Sequence, residues 1–406
     1  MRRLGPGMVD AGASSAATFV AGVAAARMLD LPELGVYALV FAGLLLTTQL
    51  PTQLVLSPTE ARLVERHASE RPGFLLSAVA AAMPWALLAG VLTLGLGFLV
   101  GDDEGSASRL VLTVTGALAT VFSPIQDHVR RMLHLAGRHW SAAWISVARA
   151  AIVGVSILLG SVFDLPAALL PLGSLALGDL FSMLPVLLSP NSRASRLPFR
   201  SSDLRISGTW LLVSSLAAPA AGFIASFAVT VFAGESALGL AEAARVTAQP
   251  LLVLAAGMAA VLGPQAMEAA HRRDRARANA LTRRMTVILG SAMVLYVGCT
   301  LLPESINPVM WAVGPRAFEL PWLTQLSILA AAANAVVLLQ RSELVVLDRT
   351  KSLAGSEVVA GAVRGALGAT AAWIHAWAVP VGFLAGGLTR VALFNRSLRQ
   401  DQRELV

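Results

Sequence analysis

The sequence predicts an all-α integral membrane protein with about twelve transmembrane helices in two six-helix lobes. Three observations predict it. The 406 residues are 56% hydrophobic and only 14% charged, the apolar residues form continuous runs about as long as a bilayer crossing, and features of the first half recur in the second. Soluble chains carry roughly 25% charged residues, so this composition excludes a soluble domain. Continuous apolar runs favour helices over the alternating strands of a β-barrel.

Charged residues and Pro/Gly breaks separate the apolar runs and so place each helix in order. The first run follows Arg2 and Arg3 and resembles a signal peptide, but Asp10 lies inside it and another run follows at once. We therefore expect a retained first helix. The twelve predicted helices are 8–28, 34–57, 73–100, 109–127, 140–161, 166–189, 208–232, 236–262, 285–302, 319–340, 353–373 and 375–394.

The distribution of basic residues predicts the topology. With the N-terminus in the cytoplasm, most of the 31 basic side chains fall on cytoplasmic loops and ends. The external loops then carry the acidic run 102–104 and few arginines, as the positive-inside rule requires. Lys351 is the single lysine, and this arginine bias is typical of GC-rich bacterial genomes. We expect a multi-pass protein of the bacterial inner membrane with both termini cytoplasmic.

An internal repeat predicts the two lobes. Residues 171–178 (PLGSLALG) and 380–387 (PVGFLAGG) share the pattern P-[LV]-G-x-L-A-x-G, and Arg149 and Arg364 also occupy matching positions. Chance similarity between Ala/Leu/Gly-rich helices is the alternative. A repeat in one orientation indicates lobes related by an axis along the membrane normal. The predicted lobes are 1–189 and 208–406, joined by a cytoplasmic linker at 190–207.

Charged side chains inside the spans are the candidate functional residues, because a charge at the bilayer centre costs about 2.5–3.5 kcal/mol. Arginines suit an anionic substrate group, since the guanidinium donates two parallel hydrogen bonds to phosphate. Carboxylates suit a coupling ion or proton. The predicted substrate-binding residues are Arg149, Arg245 and Arg364, and the predicted ion-coupling residues are Asp10, Asp179, Glu242 and Glu357.

Pairing between helices is the alternative role for these charges. Glu242 and Arg245 share a helical face, and Asp179 would need only a nearby arginine. Glu357 and Arg364 are seven residues apart, so we expect them on one face of helix 11, two turns apart. Asp127 and Arg390 are predicted at the membrane interface, Arg390 by snorkelling.

The sequence predicts no cofactor, no metal site, no enzyme activity and no nucleic-acid partner. Cys299 is the single cysteine, and the six histidines fall in loops or at span ends without metal-ligand spacing. A phosphate-binding glycine loop of the Walker type is absent, so ATP does not drive this chain directly. The longest external loop, about 303–318, is too short for a catalytic domain.

Two short segments resemble a known family. Residues 26–29 (ARML) and 33–39 (ELGVYAL) look like the junction of the first two helices in bacterial polysaccharide flippases, and 130–138 (RRMLHLAGR) is similar to their cytoplasmic stretch after helix 4. These are Wzx-type oligosaccharide flippases of the MOP superfamily, which also contains MATE drug exporters and MurJ lipid II flippases. MurJ proteins usually have fourteen helices, so twelve favours the other branches.

The resemblance implies a MATE/MurJ-like fold, a central cavity, alternating access and cavity arginines that bind lipid pyrophosphate. The sequence therefore predicts a flippase that moves an undecaprenyl-pyrophosphate-linked oligosaccharide to the outer leaflet for surface polysaccharide biosynthesis. Its expected partners are this lipid-linked oligosaccharide, membrane lipids and, as candidates, a glycan polymerase and glycosyltransferases.

A MATE-like cation-coupled exporter of small molecules is the alternative function. A cationic cargo calls for carboxylates and aromatic side chains, and aromatic residues make up only 6% of this chain. The mid-span charges contain both signs, so the charge alone leaves both functions open. A membrane enzyme such as a glycan polymerase would need a sizeable external loop.

Overall fold

The computed structural model describes residues 4–64, 66–99, 106–192, 197, 201–347, 349–373 and 375–403. Within these residues the chain forms twelve long helices and no strand. The helices are α1 (Leu4–Met28), α2 (Leu31–Leu63), α3 (Leu75–Gly97), α4 (Ser106–Leu135), α5 (His139–Val162), α6 (Leu170–Leu187), α7 (Ser201–Ala233), α8 (Glu235–His271), α9 (Arg275–Thr300), α10 (Pro321–Val346), α11 (Thr350–Ala371) and α12 (Ala378–Arg403).

The predicted all-α membrane architecture is confirmed. Eleven of the helices are long and apolar enough to cross a bilayer within the described part of the chain, all except α11. That helix contains four glycines together with Glu357 and Arg364, which lower its hydropathy. It packs closely against its neighbours instead, since a Cβ on Gly368 would lie 2.5 Å from the Ala225 side chain of α7.

Several helices continue beyond their apolar runs. The structure extends α4 to Leu135 rather than 127 and α8 to His271 rather than 262, and α9 begins at Arg275 rather than 285. Polar side chains stabilise these extensions: Asp274 caps α9 by accepting a hydrogen bond from the Arg277 amide at 3.0 Å. Hydropathy alone could not reveal these turns, because they project beyond the apolar part of each helix.

Pro51 alters α2, as a proline inside a span is expected to do. The turn that follows it, Thr52–Leu56, is a π-helix. The hydroxyl of Thr52 donates a hydrogen bond to the carbonyl oxygen of Thr48 at 2.7 Å. This carbonyl therefore has a side-chain donor in the turn next to Pro51. Ser57–Leu63 then returns to α-helix.

The chain divides into two compact units. Unit 1 comprises Met1–Leu29 and Val36–Pro219, and unit 2 comprises Asp30–Gly35 and Ala220–Val406. Within the predicted linker 190–207, residues 193–196 and 198–200 lie outside the described residues, Pro190–Ser192 forms a 3-10 turn, and 201–207 belong to α7. The lobe boundaries stay a prediction.

Alternating helix direction brings matching helix ends together inside each unit. In unit 1 the start of α1 meets the end of α4 and the start of α5, through Asp10, Arg130 and Ser146. In unit 2 the start of α11 meets the end of α12, where the hydroxyls of Ser352 and Ser397 are 2.6 Å apart. Successive helices therefore run up and down, as consecutive membrane spans must.

Candidate functional site

Asp10 of α1 lies in a buried polar network at one end of unit 1. Arg130 donates to its Oδ2 at 2.9 Å, Ser146 donates to its Oδ1 at 2.5 Å, and His134 Nε2 lies 2.8 Å from Oδ2. Three partners from α4 and α5 offset the desolvation of the buried carboxylate. This predicted coupling residue therefore belongs to a network and is not an isolated acid.

The network continues along α4 to the end of α2. Asp127 bonds Arg130 at 2.5 Å and Arg131 at 2.6 Å, while Glu60 lies 2.8 Å from His128 and 3.6 Å from Arg131. His128 was predicted in a loop or at a span end, and this is wrong: its side chain is buried within α4. This end of unit 1 therefore combines carboxylates, arginines and histidines in one network.

Arg149 and Asp179 form a buried ion pair between α5 and α6. Arg149 Nε lies 2.5 Å from Asp179 Oδ1, with the side chains 9% and 1% exposed. Ser14 of α1 lies 3.4 Å from the guanidinium. Gly178 permits the approach, because a Cβ there would lie 3.2 Å from the Arg149 carbonyl oxygen. Two residues predicted for separate roles thus neutralise each other inside unit 1.

Glu242 and Arg245 pair within α8. The guanidinium donates through Nε and Nη2 to the two carboxylate oxygens, each at 2.6 Å. The Glu242 side chain is buried, whereas about a third of the Arg245 side chain (32%) is exposed. Spacing of three residues places both on one face, and two parallel charge-assisted bonds hold the pair firmly.

Glu357 of α11 pairs with Arg390 of α12 at 2.9 Å. The snorkelling predicted for Arg390 is therefore wrong, since its side chain is only 12% exposed. The cause is the close contact of α11 with α12, where a Cβ on Gly382 would lie 2.7 Å from the Arg364 carbonyl oxygen. This contact sets the register that places Arg390 opposite Glu357.

Arg364 occupies a slot lined by glycines in unit 2. Its Cζ lies 4.6 Å from the centre of the Phe383 ring, within the range of a cation–π interaction. A Cβ on Gly222 of α7 would lie 2.7 Å from Nη2, and one on Gly386 would lie 2.9 Å from the Arg364 Cβ. The slot admits a flat guanidinium that bulkier surroundings would exclude.

Asn334 of α10 links Arg390 to the backbone of Phe383, and sequence reasoning missed it. Its Oδ1 accepts from Arg390 at 2.8 Å and its Nδ2 donates to the Phe383 carbonyl at 2.9 Å. A continuous path therefore runs from Glu357 through Arg390 and Asn334 to Phe383, whose ring contacts Arg364. The signal that could have found Asn334 is an amide in the middle of the otherwise apolar run 328–339.

The described residues contain no group of histidines, cysteines and carboxylates with the geometry of a metal site. Their buried polar side chains include ion pairs, hydroxyls and amides, and arginine is the cation in most of the ion pairs. This chemistry suits the recognition of an anionic group.

Comparisons with known proteins identify the fold. No protein-family model and no curated protein matches the sequence. Among solved structures, the chain is similar to an inward-facing multidrug resistance MATE family transporter of the MOP superfamily, with a TM-score of 0.71 and 13% identity over 95% of this chain and 94% of the other. The chain has the MATE fold.

Two further structures share this fold over nearly their whole length. A MATE protein in the straight conformation matches with a TM-score of 0.64 and 11% identity over 100% of this chain and 96% of the other. A MOP superfamily transporter from Pyrococcus furiosus matches with a TM-score of 0.64 and 11% identity over 98% and 94%, and the reverse polarity of its binding pocket is said to suggest a different function. At such identities the likeness shows the fold alone.

Proposed function

We propose that the protein is a flippase for an undecaprenyl-pyrophosphate-linked oligosaccharide, moving it from the cytoplasmic to the outer leaflet for surface polysaccharide biosynthesis. The supporting observation is the sign of charge inside unit 2. In α8, α11 and α12 the mid-span charges are three arginines, Arg245, Arg364 and Arg390, against two glutamates, Glu242 and Glu357, a sum of +1. A net positive interior favours an anionic pyrophosphate over a cation.

Arg364 is the proposed pyrophosphate ligand. The carboxylate of Glu242 pairs with Arg245, and that of Glu357 pairs with Arg390. The ring of Phe383 supports one side of the guanidinium. A guanidinium oriented in this way loses little side-chain entropy for each hydrogen bond that it forms with phosphate oxygens.

Glu357 remains the proposed coupling carboxylate. It would influence Arg364 indirectly, through Arg390 and Asn334. Protonation of Glu357 would remove the negative partner of Arg390, and Arg390 contacts Asn334. Asn334 in turn holds the backbone of Phe383, which packs on Arg364. Asp10, Asp179 and Glu242 stay candidate coupling residues within their own pairs.

A MATE-like cation-coupled exporter of small molecules is the second candidate, and the fold fits it equally well, since the similar structures include a multidrug transporter. A cation would bind a carboxylate. However, Glu242 and Asp179 each already accept an arginine at 2.6 Å or less. A cation could therefore bind either carboxylate only after its ion pair with arginine is broken, which is costly.

The proposal places the chain in the bacterial inner membrane with both termini cytoplasmic. Its partners would be the lipid-linked substrate, surrounding lipids, and enzymes that build and polymerise the glycan. A lipid-linked glycan is made on one leaflet and consumed on the other, so a glycosyltransferase must precede this step.

The test uses the purified protein in liposomes with a fluorescent pyrophosphate lipid and, in parallel, a cationic dye. We expect flipping of the lipid and no transport of the dye. Arg364→Ala should slow flipping about tenfold or more, because charge-assisted hydrogen bonds contribute roughly 1.5–3 kcal/mol each. Arg364→Lys should restore part of the rate, since it keeps the charge without the fork.

Arg272→Ala is the matched control, because Arg272 is exposed and pairs with Glu268 at the surface. Glu357→Gln should abolish any dependence of the flipping rate on a pH gradient, whereas Glu268→Gln should preserve it. Transport of the dye without lipid flipping would favour the exporter. Flipping at the parental rate by Arg364→Ala would overturn the role of Arg364.

A further inference from the structure

The outward surface of α9 forms a shallow groove that the proposed transport function does not use. The groove has a volume of about 650 Å³ and is lined by Ala276, Asn279, Ala280, Arg283, Arg284, Val287 and Ile288. The opposite stripe of the helix, including Leu281, Met285 and Leu289, is buried in the core of unit 2. One face of α9 therefore holds the helix in place while the other is open to its surroundings.

The polar end of this groove is strongly basic. Between 268 and 284 the sequence holds six arginines and two carboxylates. Arg272 pairs with Glu268, and Arg275 lies 3.7 Å from Glu343. Among the described residues, no ion pair involves Arg283 or Arg284, and both side chains are exposed. These two arginines thus carry positive charge that the described acids leave uncompensated.

The other end of the groove is apolar and exposed. Val287 is 57% exposed, and further along the helix Val294 and Leu295 are 68% and 71% exposed. Of the candidate spans, α9 buries the smallest share of its apolar window. Arg283 and Arg284 therefore stand where a helix surface suited to acyl chains changes into one suited to phosphate, which is the level of a lipid headgroup.

We infer that this groove binds an acidic phospholipid, with its phosphate between Arg283 and Arg284 and its acyl chains along Val287 and Ile288. Charge selects the headgroup, because zwitterionic phospholipids have no net negative charge. Anionic leaflets attract basic residues at the membrane boundary by about 1 kcal/mol for each arginine, or about fivefold in affinity. Two arginines in one groove therefore favour an anionic over a zwitterionic phospholipid by about 25-fold.

A segment of this chain is a poor alternative occupant. The segment 190–207 carries four arginines and a single acid, Asp203, so it would repel the groove, and the connection 301–320 begins at the opposite end of α9. Asn279 adds a hydrogen-bond donor for headgroup oxygens beside the two arginines. A small inorganic anion would satisfy the arginines but would leave the apolar half of the groove uncovered.

The experiment measures lipids retained by the purified full-length protein after equilibration with equal amounts of phosphatidylglycerol and phosphatidylcholine, by native mass spectrometry. Wild type should retain phosphatidylglycerol in excess. In Arg283→Gln/Arg284→Gln the ratio of retained phosphatidylglycerol to phosphatidylcholine should fall by about 25-fold. The matched control Arg272→Gln/Arg273→Gln removes the same charge from the same hairpin outside the groove and should keep the excess.

Three results would overturn the inference: retention of the excess by Arg283→Gln/Arg284→Gln, equal loss by both double variants, or displacement of the lipid by inorganic phosphate alone. A measurement on the wild type guards against a folding defect. Photoactivatable phosphatidylglycerol in vesicles should cross-link to the peptide 279–288 of α9, and cross-linking confined to other helices would contradict the site. Neither result depends on whether the protein flips glycolipids.

Discussion

Arg149 and Asp179 show how unit 1 tolerates charge inside a membrane span. Their ion pair has the lowest combined side-chain exposure of those among the described residues. Taking two charges out of water is expensive, and their mutual attraction repays that cost only while both are present. Removal of one partner leaves the other buried and uncompensated. This asymmetry separates a structural role of the pair from a functional one.

We predict that Arg149→Leu destabilises the protein by about 3–5 kcal/mol, and that Asp179→Leu does the same. The double variant Arg149→Leu/Asp179→Leu should recover most of this loss, because it restores neutrality with apolar side chains. Thermal unfolding of the three variants in detergent measures the coupling. A double variant whose loss equals the sum of the single losses would show that the two charges do not interact.

The same variants test the substrate-binding role predicted for Arg149. If the pair is structural, the stable double variant should flip lipid at nearly the parental rate. If Arg149 contacts substrate, the double variant should be stable but slow.

Many of the buried charges were predictable from single residues, although Arg390 and Glu343 were not, and the partners were not predictable. Each charge stands out because it interrupts an apolar run, and the cost of burying it guarantees a partner or water. Which partner it meets depends on helix packing. Arg130 reaches Asp10 across 120 residues of sequence, and Glu357 meets Arg390 of the next helix.

At the level of elements, glycine sets the contact between α11 and α12. Small residues let helix backbones approach closely in a membrane, where van der Waals packing drives association. Gly382 and Gly386 of α12 both face the backbone or stem of Arg364, and Gly382 would place a Cβ 3.1 Å from the Gly368 amide. This close contact holds Arg364 in its slot and Arg390 opposite Glu357.

We predict that Gly382→Ala pushes α11 away from α12 and lowers the unfolding temperature, because the new Cβ would lie 2.7 Å from the Arg364 carbonyl oxygen. Overpacking of this kind costs typically 1–3 kcal/mol. Gly355→Ala on α11 is the control, since nothing lies within 4 Å of its Cβ. Equal melting temperatures for the two variants would mean that the contact can relax.

The repeat motif predicted matching segments but not equal packing. Gly173, which the motif aligns with Gly382, would place a Cβ no closer than 3.5 Å to any neighbour. Asp179 follows Gly178 in α6, whereas Leu388 follows the matching Gly387 in α12. The acid that pairs with Arg149 therefore has no counterpart at the matching position of α12, which is Leu388.

For the whole molecule, hydropathy predicted the number and class of helices because each span must satisfy its own backbone and cover itself with apolar side chains. Hydropathy did not predict where α4 and α8 end or where α9 begins, because helix caps and ion pairs stabilise turns beyond the apolar run. α11 is the converse case: it is helical despite its low hydropathy, and it packs closely against α7 and α12.

The last prediction concerns the topology of the whole chain. Reporter fusions after residue 104 and after residue 275 should report the outside and the inside of the cell, respectively. Twelve helices in alternating direction put both termini on one side. The end of α4, the turn between α8 and α9, and the end of α12 then share that side, and these three regions concentrate arginine. The positive-inside rule assigns this shared side of the membrane to the cytoplasm.

A topology with α11 outside the membrane would reverse the side of α12 alone and would place the C-terminus outside. A third reporter at residue 403 therefore tests α11 separately: we expect it inside, with Arg364 crossing the bilayer in α11. An inside signal at 275 with an outside signal at 403 would show that α11 does not cross the membrane. An outside signal at 275 would overturn the orientation itself, because the six arginines between 268 and 284 would then have crossed the membrane.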